Sequence, residues 1–280
     1  TKNTQQITRA MKLTSAAKLR KAQNNIVNMR PYALALRQVI ADIVMTHEIS
    51  HPLMEVRHNV KRVLLVILTS DRGLCGGFNS NIIRFADNYI KENKDKHENM
   101  DLFFIGRKGH DFFIKKKIHS AEFIQKLDKD ISYDLASHVA DKLLKHYLSG
   151  AYDEIRLIYN EFKSAISQVV TCETLLPIST EASTFATERT QDQFSKELIF
   201  EPDATAIIED LLVKHFDLQI YRSMSESVAA EHGARMTAME NATNNAKTVI
   251  NTLTLTYNKL RQEKITTELT EITSGAEALK

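Results

Sequence analysis

Tryptophan is absent from the 280 residues, and glycine (8), proline (4) and cysteine (2) are scarce. So few turn-formers argue against a loop-rich all-β fold and favour long helices. The two cysteines, Cys75 and Cys172, lie far apart and form no CxxC pair. That argues against a disulfide framework or a cysteine-built metal site and points to a reducing compartment. No apolar run of about 18 residues occurs, so no membrane-spanning helix is expected. The start is polar and basic, without the apolar core of a secretory leader. It opens on Thr1 rather than Met, so the true N-terminus is expected to lie upstream.

Acid is also missing, locally. Residues 1–41 hold Lys2, Arg9, Lys12, Lys18, Arg20, Lys21, Arg30 and Arg37 and no Asp or Glu, although the whole chain carries only +2. An uncompensated basic helix meets something acidic more often than not. Nucleic acid, anionic lipid and an acidic protein surface are the candidates. With Tyr32 as its single aromatic ring, the segment has little for base stacking, so nucleic acid ranks last.

What is present falls into regions: 1–58, 59–178, 179–202 and 203–280. In the first, Leu19, Ala22, Ile26, Met29, Ala33, Leu36, Ile40 and Ile43 alternate by three and four, a heptad seam. It reads as one helix, or two joined near Pro31, ending by His51-Pro52. The second alternates strands (Val60–Thr69, Leu102–Ile105, Ser120–Ile124, Ile155–Tyr159, Val169–Leu176) with helices (Asn79–Lys94, one through Phe112 and Phe113, Ser132–Leu148). That order implies a mostly parallel sheet with helices on its faces. The third region is a polar link, with Leu198–Phe200 a candidate edge strand.

The last region holds no proline and only Gly233 and Gly275. Val228, Met236, Met239, Ala242, Ala246, Ile250, Leu253, Tyr257 and Leu260 mark one helical face. Such a helix would be about 110 Å long and must project from any body of this size. The expected fold is therefore α/β plus all-α: a long antiparallel coiled coil of the N- and C-terminal helices with an inserted Rossmann-like α/β domain.

The stretch Ser70-Asp71-Arg72-Gly73-Leu74-Cys75-Gly76-Gly77-Phe78-Asn79 follows the first strand, where phosphate-binding loops are built. Its spacing fits neither GxxxxGK[ST] nor GxGxxG. The remaining readings are a glycine-permitted turn, a weak anion site at the next helix, or Asp71 and Arg72 presenting charge to another protein. No HExxH, paired-histidine or nucleophile–base arrangement occurs, so no catalytic residue, cofactor or metal is expected. The alternative function is a coiled-coil scaffold with a nucleotide-binding Rossmann-like domain.

Three stretches carry a resemblance: Asn3–Gln23, the glycine turn, and Arg235–Leu279. In that order they resemble the γ-subunit family of F-type ATP synthases. The resemblance implies a non-catalytic rotor of the F1 sector, passing torque between the membrane c-ring and the catalytic α3β3 hexamer. Its implied partners are that hexamer, the ε subunit and the c-ring; its implied place is the cytoplasmic face of a bacterial inner membrane, peripherally. Implied contacts with β are Arg9, Lys12, Lys18, Lys21, Arg72, Arg261 and Gln262. The tip, with Leu269, Ile272, Ala276 and Leu279, is implied to turn in an apolar sleeve. The family also implies further basic residues ahead of Thr1. With two cysteines only, the redox control of plastid members is not expected.

Overall fold

The computed structural model describes residues 1–46, 51–57, 59–118, 120–125, 131–178 and 204–278. Its elements are α1 (Lys2–Thr46), β1 (Arg62–Leu68), α2 (Phe78–Asn93), β2 (Asn99–Ile105), α3 (Arg107–Lys115), β3 (Ser120–Ile124), α4 (Tyr133–Leu148), β4 (Glu154–Phe162), β5 (Gln168–Leu176) and α5 (Ala204–Ala278). Each strand and helix expected from the sequence between 60 and 178 is present, with ends shifted by a few residues. The expected polar link and its strand at Leu198–Phe200 lie outside the described residues.

The sheet runs β3-β2-β1-β4-β5. β1 pairs parallel with β2 and β4, and β2 parallel with β3. β5 closes the sheet antiparallel to β4, as a short hairpin allows. β1 is the centre, and Val63 through Leu68 are fully buried, because helices cover both faces. Alternation sorts its side chains. Leu64, Val66 and Leu68 join one core with α1, α4 and the first part of α5. Leu65 and Ile67 join a second core with Phe78 and Ile82 of α2 and Phe113 of α3. Burying each such side chain stabilises the fold by about 1.5–3 kcal/mol.

α1 is one helix, unbroken through Pro31. The proline removes the donor that the Val27 carbonyl would otherwise receive. Val27 lies on the solvent side, where water can replace that donor. The seam residues Leu19, Ala22, Leu36, Ile40 and Ile43 are buried as expected. α1 lies along α5 in the opposite direction. Thr8 meets Thr243 (Oγ1–Oγ1, 2.7 Å), Lys12 meets Glu240 (2.7 Å), and Leu19 and Ala22 pack with Ala229. Farther along α1, Leu36 and Ile40 share a core with Ile208 and Phe216.

α5 has 75 residues, about 112 Å at 1.5 Å per residue. Ile208, Leu212 and Phe216 are buried at its start, and Met239 and Ala246 farther on. From Asn251 to Ala276 every residue is exposed. The apolar face marked by Leu253, Tyr257 and Leu260 thus continues past the packed part into solvent.

Asp153, just before β4, ties the start of β4 to the start of β1. Its carboxylate accepts from Arg57 (2.7 Å) and Arg62 (3.0 Å) side chains and from the backbone N–H groups of Lys61 (3.1 Å) and Arg62 (2.9 Å). Burial pushes the pKa up, but these donors outweigh it and hold the carboxyl well below the usual carboxylate range. A depressed carboxylate contributes stability above its unfolded pKa of about 4 and loses it as pH falls through the folded pKa. Asp153→Asn should cost about 1–3 kcal/mol at neutral pH. Its melting temperature should also fall less steeply than that of the unmodified protein on acidification below pH of about 4. Calorimetry across that range checks this, and identical acid slopes would remove Asp153 as the source.

Candidate functional site

Where β1 ends, its last groups turn toward α3. The Asp71 carboxylate accepts from the Arg107 N–H (2.9 Å), the Ser70 carbonyl from the Lys108 N–H (3.1 Å), and Thr69 Oγ1 from the Gly109 N–H (2.9 Å). A helix N-terminus leaves its first N–H groups without intrahelical partners, which is what draws anions there. At α3 the first three are capped from within. The close approach needs Gly106, at φ +97°, where a Cβ would stand 2.1 Å from the Thr69 carbonyl oxygen. Asp71, expected as a candidate charge for a partner, thus has a structural role as a helix cap.

The turn itself is tied together by Asn79. Its Nδ2 donates to Ser70 Oγ (2.8 Å), its Oδ1 accepts from the Ser70 N–H (3.0 Å), and Ser70 Oγ donates to the Arg72 carbonyl (2.6 Å). Cys75 is buried beneath, and burial pushes its thiol pKa up, opposite to what a nucleophile needs. Leu74 adopts φ +62° and is 64% exposed, a strained posture for a bulky residue.

In open α/β sheets ligands bind outside the carboxyl ends of the strands, where the strand order reverses. Here that point lies between β1 and β4. It is filled by the protein itself. Ala230 and Ala234 of α5 pack into the core with Leu65, Ile67 and Ile158. Gly76, at φ +57°, sits where a Cβ would be 3.9 Å from the Ala238 Cβ. Asn160 Nδ2 donates to the Phe78 carbonyl (3.2 Å), closing β4 onto the start of α2. Arg235 reaches across, donating to the Gly73 carbonyl (3.2 Å) and to Glu231 (2.8 Å).

The expected contact residues divide into groups. Lys18, Lys21 and Arg72 line one groove of about 480 Å³ between α1, the glycine turn and α5, with Asp71, Glu231 and Arg235. Cations there outnumber acids. Lys12 is paired with Glu240, and Arg9 is exposed nearby. Arg261 and Gln262 are exposed on α5, 18 residues beyond the level of Thr8, or about 27 Å along the axis. They do not join the groove. Leu269, Ile272 and Ala276 are exposed on the last part of α5. Leu279 lies outside the described residues. Asn79, Glu231, Gly233 and Arg235 were not singled out as site residues from the sequence. For Glu231 and Arg235 the available signal was an acid and a base four apart on a helix otherwise lined with small residues. Among the described residues no group of His, Cys, Asp or Glu is placed to hold a metal, and no helix is long and apolar enough to cross a membrane.

A sheet whose switch point is occupied by a long projecting helix has the architecture of a body carrying a shaft. A family model described as ATP synthase matches residues 1–279. The chain is 68% identical to the ATP synthase gamma chain of Bdellovibrio bacteriovorus, covering 100% of this chain and 95% of the relative. It is 45% identical to that of Geobacter sp. (strain M21), with the same coverage. The central stalk of Tetrahymena thermophila mitochondrial ATP synthase superposes with a TM-score of 0.63 at 26% identity, over 84% of this chain and 99% of that one. The rotor of the Euglena gracilis mitochondrial enzyme shares the fold, with a TM-score of 0.63 at 22% identity over 94% of each chain. The chain belongs to the ATP synthase gamma chain family. As such it is a non-catalytic stalk subunit.

Two measurements follow. Titration calorimetry of the protein with ATP or NAD should give no saturable heat at millimolar concentration; tight binding to residues 60–178 would contradict the plugged crevice. Asp71→Ala removes the α3 cap and should cost about 1 kcal/mol. An unchanged melting temperature would show the cap to be dispensable.

Proposed function

We propose that this chain is the central-stalk rotor of the F1 sector of a proton-translocating ATP synthase, carrying torque between the membrane c-ring and the catalytic α3β3 hexamer. The observation that carries the reading is α5: a helix packed over its first half and exposed on all sides from Asn251 onward, in a chain that matches gamma chains from end to end. A half-apolar helix left in water gains little stability alone, so it needs an enclosing partner. Many of the exposed hydroxyls donate their proton to the helix itself. Those of Thr252, Thr256, Thr266, Thr270 and Thr273 each donate to the carbonyl four residues earlier. Their methyl groups, with Leu269, Ile272 and Ala276, suit an apolar sleeve in which the tip turns.

Finer features belong to the same proposal. The opposed contacts of Thr8 with Thr243 and Lys12 with Glu240 support an antiparallel coiled coil of residues 1–58 and 203–280. The strand order supports a Rossmann-like body over 59–178, with 179–202 as a link. That body sits toward the ε subunit and the ring, peripheral to the membrane on its cytoplasmic face in a bacterium. Arg9, Lys12, Lys18, Lys21 and Arg72 meet acidic groups of β, while Arg261 and Gln262 make polar contacts with β higher on the shaft. Each exposed ion pair contributes about 0–1 kcal/mol, weak enough to be made and broken at every turn.

The test is reconstitution. Purified alone, the chain should hydrolyse no ATP; mixed with α and β subunits, it should restore rotation-coupled hydrolysis. Failure to co-purify with an α3β3 hexamer would sink the reading. Replacing Arg9, Lys12 and Lys18 together by Ala should lower ATP-driven proton pumping severalfold in the complete enzyme. Its melting temperature should change little, since among the described residues the ion pair lost with these side chains, Lys12–Glu240, is exposed. Full pumping in that variant would show that these cations do not carry the contact.

A further inference from the structure

α5 is held on three sides at one level. With 3.6 residues per turn, successive side chains are about 100° apart around the axis, which places each contact by its number. Taking Gly233 as zero, Thr237 lies at about 40°, Ala234 and Ala238 at about 100° and 140°, and Arg235 at about 200°. The first side faces the β4–β5 hairpin. A Cβ on Gly233 would meet the Ala165 carbonyl oxygen at 3.1 Å and its Cα at 3.2 Å. The second side faces the glycine turn. Gly76 rests against Ala234 and Ala238, and the guanidinium of Arg235 donates to the Gly73 carbonyl at 3.2 Å. Arg235 is 7% exposed and its ion-pair partner Glu231 is 9% exposed, so this polar link is shielded from water. The third side faces α1, through Met236 in the cluster with Leu19 and Ala22, then Glu240 and Thr243.

Small residues at the first two sides bring the backbones close, and the one long side chain there, Arg235, is held by its bonds to Gly73 and Glu231. Contacts spread around the axis resist both twist and tilt, whereas a seam on one side resists tilt alone. Beyond this level, from Asn251 to Ala276, the helix is exposed all round.

We propose that this collar locks α5 against rotation relative to the sheet, so that torque passes between shaft and α/β body here, with Gly233 and Arg235 as positioning residues. The inference rests on the rotor reading above. Without the lock the shaft would slip: ATP hydrolysis in the hexamer would continue while the body, and whatever it drives, lagged behind.

The test uses the complete enzyme in membrane vesicles, recording ATP hydrolysis and protons pumped per ATP. Arg235→Gln should leave hydrolysis little changed and lower pumping per ATP severalfold, and Arg235→Lys, which keeps one donor for the Gly73 carbonyl, should recover much of the ratio. A merely structural role would lower hydrolysis and pumping together and leave their ratio intact; that result, or an unchanged ratio in Arg235→Gln, overturns the proposal. Should Arg235→Gln fail to assemble, Gly233→Ala decides, since it keeps the ion pair and only presses on Ala165. A lowered ratio there supports the collar and an intact ratio overturns it. Failure of the unmodified chain to assemble with α and β would instead count against the rotor reading itself.

Discussion

The closeness with which α5 lies against the carboxyl edge of the sheet is the constraint on which the rest depends. Ala230, Ala234 and Ala238 lie on one side, a Cβ on Gly76 would just touch Ala238, and one on Gly233 would press on the Ala165 backbone. Because the backbones meet, the helix fills the crevice that an open α/β sheet offers to a ligand. The sheet is thereby converted from a binding platform into a mounting. The long free part of α5, and the opposed run of α1 beside it, follow from where that mounting ends.

The same logic explains the glycine turn. It occupies the place of a phosphate loop, yet its hydrogen bonds point inward. Asp71, Ser70 and Thr69 cap α3, Asn79 ties the turn to itself, and Gly73 offers its carbonyl to Arg235. The first three N–H groups of α3 are thus taken by acceptors within the fold. As a gamma chain, the protein leaves catalysis to other subunits of the assembly. Its cations, gathered at Lys18, Lys21 and Arg72 along one groove, lie on the outside of the mounting, where a neighbouring subunit can meet them.

Much of this is legible in the sequence. The alternating strands and helices between residues 60 and 178 are local signals: apolar runs of strand length, amphipathic runs of helix length, and Gly or Ser between them. The heptad spacing from Leu19 to Ile43 foretold a packed seam, and those residues are buried or half-buried. Two features needed the fold to settle. Pro31 left one helix or two open, and a helix supported by packing along its length absorbs one missing donor on its wet side. Asp71 also caps α3, which nothing near it in sequence reveals, because Arg107, the first residue of that helix, lies 36 positions on.

The sequence by itself determined the elements, the seam between the chain ends and the absence of any phosphate-loop chemistry, because each is written in residues close together along the chain. Only the tertiary structure decided that α5 plugs the crevice, that Arg235 bonds to a turn 162 residues away, and that three separate segments surround α5 at one level. Those contacts join residues with no shared periodicity. Their small side chains are ordinary anywhere in a helix or turn, and become specific only when two backbones are brought within touching distance.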